Sequence, residues 1–151
     1  MAKVLVVSTA LKDGHDRFIT NFLYLFEKDH QVEILHEQKD YKIKDDDANE
    51  KLEKHFAEFD PDAIIMSTVS VCPRDLRSRL YKYLINFDPN VLVCEYQPTE
   101  RNNPHSFPFT IDPDHYVDTS ENQKKDDIFY KVSEFIQRQY EKKFRGRMGF
   151  E

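Results

Sequence analysis

The stretch that decides the fold runs from Lys3 to Phe26. It opens with Lys3-Val-Leu-Val-Val7, passes through Ser8-Thr-Ala-Leu-Lys-Asp-Gly-His15, and continues from Asp16 to Phe26. The first part is short, apolar and valine-rich, which suits a buried strand and is too short for a helix. The last part carries Phe18, Ile19, Phe22, Leu23 and Phe26, which fall on one helical face. Between them lies a polar loop holding Ser8, Thr9, Lys12, Asp13, Gly14, His15, Asp16 and Arg17. Strand, polar loop and helix form the first unit of an open α/β sheet. Ligands of such sheets bind where strand ends meet helix starts, so this loop is the first place to look for function.

The same alternation continues outward. Gln31–His36 predicts a second strand, Ala63–Met66 a third, Val91–Cys94 a fourth and His115–Thr119 a short fifth. A helix is expected over Ala48–Phe59, with Leu52, Phe56 and Phe59 inward and Asp60-Pro-Asp62 as its stop. Asp45, Asp46 and Asp47 charge its start favourably. The next helix begins near Pro73, a first-turn residue, and ends at Phe87. Leu76, Leu80, Tyr83, Leu84 and Phe87 are expected inward, and Arg74, Arg77, Arg79 and Lys82 outward. Ser120 caps a last helix to Phe144, with Ile128, Phe129, Val132, Phe135, Ile136 and Tyr140 on one face. Glu95 to Asp114 carries Pro98, Pro104, Pro108 and Pro113 and no helical period, which is long for a βα connection. The whole implies one α/β domain over residues 1–144, with a basic, flexible tail over 145–151. Its sheet is doubly wound, parallel, of about five strands in the order 2-1-3-4-5, the flavodoxin-like or Rossmann-like arrangement.

Composition narrows the function classes. The chain has 151 residues, enough for one domain with a real core. Its net charge of −6 disfavours general nucleic-acid binding. No apolar run approaches the roughly 20 residues of a membrane span, and no signal-peptide pattern precedes the first strand. Cys72 and Cys94 have no metal-type spacing and read as buried free thiols, so a cytoplasmic location is expected. Three glycines are present, and two of them, Gly146 and Gly149, lie near the C-terminal end. A phosphate-cradling loop needs several glycines for close backbone approach. None can form here.

In the expected fold, four segments converge at the carboxyl ends of the strands. They contribute Ser8 and Thr9, Ser67 and Ser70, Glu95, and Thr119, a set of hydroxyls and a carboxylate suited to a small polar ligand. The same residue types also cap helices at such an edge. Asp13 and His15 are the sharpest pair. A carboxylate two residues from a histidine can hold one ring nitrogen and leave the other for a metal or a proton. No nucleophile–base pair or complete metal set accompanies them, so catalysis by this chain alone is not indicated.

Lys3-Val-Leu-Val-Val7, Leu11 and Asp13-Gly-His-Asp-Arg17 resemble the cobalamin-binding domain of the methylmalonyl-CoA mutase class. Pro61-Asp-Ala-Ile-Ile-Met-Ser67 with Ser70, and Pro98, extend the resemblance. It implies that His15 is the lower axial ligand of cobalt, that Asp13 holds it, and that Ser67 and Ser70 line the cofactor cleft. The family keeps glycine where this chain has Phe18, Glu95 and Tyr96. Those side chains fill the channel for the nucleotide tail, so cobalamin binding is expected to be weak or absent. A small ligand or a protein partner is expected instead. The opening and Asp60-Pro-Asp62 also resemble the N-terminal half of glycosyltransferases with two Rossmann-like domains, which implies catalysis with a partner chain. Pro61 to Ser67 further resembles response-regulator receivers. Ser67 stands at their phosphorylated aspartate and Ser8-Thr9 at their acidic pair, which implies a pseudo-receiver that is not phosphorylated.

Overall fold

The computed structural model describes residues 1–9, 23–37, 39–69, 74–96, 115–119 and 124–147, without side-chain detail at 69, 74, 96, 146 and 147. Asp13, His15, Phe18, Ser70 and Cys72 lie outside the described residues, as does most of the first expected helix. Its end is visible: Leu23 and Phe26 are buried and a 3-10 turn spans Tyr24–Phe26.

Five strands form one all-parallel sheet: β1 (Lys3–Ser8), β2 (Gln31–His36), β3 (Ala63–Val69), β4 (Leu92–Tyr96) and β5 (Tyr116–Asp118). Their order is β2-β1-β3-β4-β5, the flavodoxin-like order expected from the sequence. Among the described residues three α-helices flank the sheet: α1 (Ala48–Phe59), α2 (Arg74–Phe87) and α3 (Lys125–Arg147). The helix α1 matches its expected span. It presents Ala48, Leu52, Phe56 and Phe59 to the core, a helical repeat that leaves its other faces to solvent. Asp60 then turns left-handed at φ 51°, and its N–H caps the Phe56 carbonyl. Aspartate tolerates this conformation better than most residues.

Strand alternation divides the core in two. Leu5, Val7, Ile64, Met66 and Val93 face α1 and α2, together with Leu80 and Leu84. Val4, Val6, Ile65, Leu92, Cys94 and Val117 face the other way, onto Ile128, Val132, Phe135 and Ile136 of α3. Burying each of these large side chains contributes about 1.5–3 kcal/mol. Cys94 is a buried free thiol, and burial pushes it up to about 12, so it is inert at neutral pH.

Four expectations need correction. β3 and β4 run past Met66 and Cys94, so Ser67, Glu95 and Tyr96 stand in strands rather than loops, because parallel pairing of Thr68 with Glu95 and of Val69 with Tyr96 carries the ladder onward. Arg77 is not on an outward basic face: it is 2% exposed. Phe87 and Phe129 are only half-buried, each covered on one side by a stacked ring, Phe56 and Phe26 respectively. The helix α3 starts at Lys125 and ends at Arg147, past the expected boundary at Phe144, so Arg145 belongs to a helix whose C-terminus suits basic residues.

Candidate functional site at the carboxyl edge of the sheet

Register brings the hydroxyl-bearing strand ends together. Ser8 pairs with Ser67, Ser67 with Cys94, Thr68 with Glu95, and Glu95 with Asp118. Ser8, Thr9, Ser67, Glu95 and Thr119, all expected to line a cleft, are therefore neighbours, and all are buried. Thr68 and Asp118, which belong to the segments Ser67–Ser70 and Asp118–Ser120 expected at this edge, join them, and so does Arg77, which was expected on an outward face.

The gap between β1 and β3, where strand order reverses, is the usual ligand crevice. Here it is bridged. The Thr9 N–H donates to the Ser67 carbonyl at 2.9 Å, and the Thr9 hydroxyl to that of Thr68 at 2.9 Å. On the other side of β1, the Tyr41 hydroxyl and the Glu37 N–H both donate to the Ser8 carbonyl, at 2.7 and 3.0 Å. The Glu37 carboxylate accepts the Ile43 N–H, fixing the loop after β2. At β5, Thr119 donates twice to the Glu95 carbonyl, from its N–H at 2.8 Å and its hydroxyl at 3.0 Å.

One charged pair lies inside this frame. The Arg77 guanidinium approaches a Glu95 carboxyl oxygen, Nη1 to Oε1, at 3.3 Å, and the two side chains are 2% and 0% exposed. Parity explains the meeting. Glu95 lies two residues beyond Val93 and so faces α2. Arg77 precedes Leu80 by three residues and Leu84 by seven, which places it on the buried face of α2. That spacing was the available signal, hidden by the neighbouring Arg74, Arg79 and Lys82. Burial pushes the Glu95 carboxyl up from 4.5 to about 8, with Arg77 opposing the rise and Asp118 adding to it. Its second oxygen, Oε2, is buried and has no hydrogen-bond partner among the described residues. Such a group holds or yields a proton near neutral pH. No cluster of metal-ligating side chains occurs among the described residues. Among them, too, no helix is long and apolar enough to cross a membrane.

No family model matches the sequence, and no curated protein matches it. One solved structure shares the fold. A chain from the methanol:cobalamin methyltransferase complex MtaBC of Methanosarcina barkeri superposes with a TM-score of 0.53 at 10% identity, over 90% of this chain and 46% of that one. This chain thus spans about half the length of that neighbour. RcsB from Salmonella enterica serovar Typhimurium, solved bound to promoter rprA in the presence of phosphomimetic BeF3-, aligns with a TM-score of 0.49 at 16% identity, over 89% of this chain and 98% of that one. At 10% identity the likeness to the MtaBC chain speaks for the fold alone.

Proposed function

We propose that this chain is a binding module that takes a small polar ligand at the carboxyl edge of its sheet and does not house cobalamin. The observation that carries this reading is the buried Arg77–Glu95 pair at the end of β4. Burying a guanidinium and a carboxyl group together is costly, and apolar residues of equal volume commonly serve stability as well or better. A recognition role accounts for keeping the pair. A ligand that brings an N–H or O–H donor to Glu95 Oε2 completes its hydrogen bonding, and the hydroxyls of Thr9, Thr68 and Thr119 stand on the adjoining strand ends.

The residues present do not fit cobalamin. The cofactor-binding resemblance calls for glycine at position 95, to leave room for a nucleotide tail. Glu95 is fully buried there with Arg77 against it. Overpacking by a few methylenes already costs about 1–3 kcal/mol, and a nucleotide is far larger. The Asp13 and His15 pair lies outside the described residues, so its part in any ligand site is a proposal from sequence.

Titration with hydroxocobalamin, followed by absorbance, tests the negative half. No spectral shift is expected. Tight binding with a shift lost in His15→Ala would overturn it. The positive half is tested by thermal shift against small amines and polyols. A stabilising compound is expected whose effect disappears in Glu95→Gln. If neither protein responds to any compound, a protein partner replaces the small ligand in this reading.

A further inference from the structure

The opposite, amino edge of the sheet holds a cavity of about 470 Å³, in the size range of small-molecule sites. It is separate from the strand ends discussed above. We infer that it is a binding site for an uncharged nucleoside. Its apolar part is made by Phe56, Ile64 and Phe87. Phe87 stacks on Phe56 with ring centroids 4.1 Å apart, which fixes its orientation, yet Phe87 remains 38% exposed. A held aromatic ring with an open side is a platform for a flat heterocycle.

Gln139 of α3 also lines the cavity. It is 7% exposed, and its side-chain amide makes no hydrogen bond to any described residue. The amide atoms are not sealed from solvent, so they are open to a ligand in the cavity. A primary amide offers a donor and an acceptor side by side. That pattern matches the edge of a nucleobase, as when glutamine meets adenine through N6 and N7.

Charge selects among ligands that carry such a base. Asp60, Asp62 and Asp88 line the cavity against Lys142 and Lys143. Lys143 is already committed, its ammonium 2.9 Å from Asp60 Oδ1 and 2.6 Å from the Pro61 carbonyl. The helices α1 and α2 both end here, at Phe59 and Phe87, and direct their negative dipole ends to this edge. A polyphosphate is repelled, and a neutral nucleoside is not.

The test is a calorimetric titration of the full chain with adenosine and with ATP. Adenosine is expected to bind, and ATP to bind more weakly. Gln139→Leu is expected to lower adenosine affinity about tenfold while leaving the melting temperature of the free protein little changed, since the amide has no hydrogen bond to a described residue to lose. Phe87→Leu is expected to weaken binding several-fold through lost stacking. Glu95→Gln is expected to leave adenosine affinity unchanged, which separates this site from the carboxyl edge. Absence of adenosine binding at millimolar concentration, equal affinity in folded Gln139→Leu, or tighter binding of ATP would each overturn the inference.

Discussion

At the carboxyl edge of the sheet, Arg77 and Glu95 meet with side chains 2% and 0% exposed, whereas at the amino edge Lys143 meets Asp60 with side chains 26% and 62% exposed. The buried pair has one close contact at 3.3 Å and an acid oxygen left without a described partner. The lysine has three hydrogen bonds, two of them to backbone carbonyls, lies 3.5 Å from an Asp62 carboxylate oxygen, and is itself partly exposed. The difference teaches where each edge is fragile. A desolvated pair depends on both members, because either one alone is a buried polar group that has lost its partner. A solvated pair loses one member and water takes its place.

The largest effect is therefore expected from Arg77→Ala. It leaves Glu95 buried beside Asp118 and should destabilise the fold by about 3–5 kcal/mol, read as a lowered urea midpoint. The double variant Arg77→Met with Glu95→Leu is expected to recover most of that loss. A double variant as unstable as the sum of its singles would show that the two do not act as a pair. Next comes Leu80→Ala, on the apolar face that carries Arg77. A cost of about 2–5 kcal/mol is expected from the cavity it leaves.

The pH dependence sharpens the comparison further. Glu95 binds its proton more firmly when folded, up to about 8 against 4.5 for the exposed group. Between those values the unfolded chain has shed a proton that the native chain keeps. Stability from this group is thus fully present on the acid side and is lost as pH rises toward 8. Melting curves of the native protein and Glu95→Gln, from about pH 5 to about pH 9, should diverge in slope, with the variant flatter. Parallel curves would remove the buried acid from the account. The smallest effect is expected at the amino edge. Lys143→Met should cost no more than about 1 kcal/mol, and part of that should vanish in high salt.

The fold was legible because apolar alternation and helical period agree along the chain. Val4 to Val7 and Ala63 to Met66 sit in two of the three inner strands, as their unbroken apolar runs imply. The edge set of Ser8, Thr9, Ser67, Glu95 and Thr119 followed from topology, since strand ends of a parallel sheet must meet. Arg77 was not legible, because charge outweighs spacing when a basic residue sits among others. The strand endings were not legible either. Polar residues such as Ser67 and Glu95 look like loop, yet a parallel ladder carries them when their neighbours are already paired. Gln139 escaped notice because a glutamine on a charged helix resembles every other solvated position.

The brevity of β5 reaches beyond this one molecule. At three residues it closes one side of the sheet, and its far side exposes few backbone groups to pair with another chain. On the opposite side, β2 presents half-buried Val32 and Ile34 with Glu33 between them, and Glu33 is held by His55 at 3.4 Å. A stacked second copy would have to strip that carboxylate of water at one side and would find almost no strand to add to at the other. Both borders thus discourage edge-to-edge polymerisation, and the protein is expected to stay dispersed at high concentration.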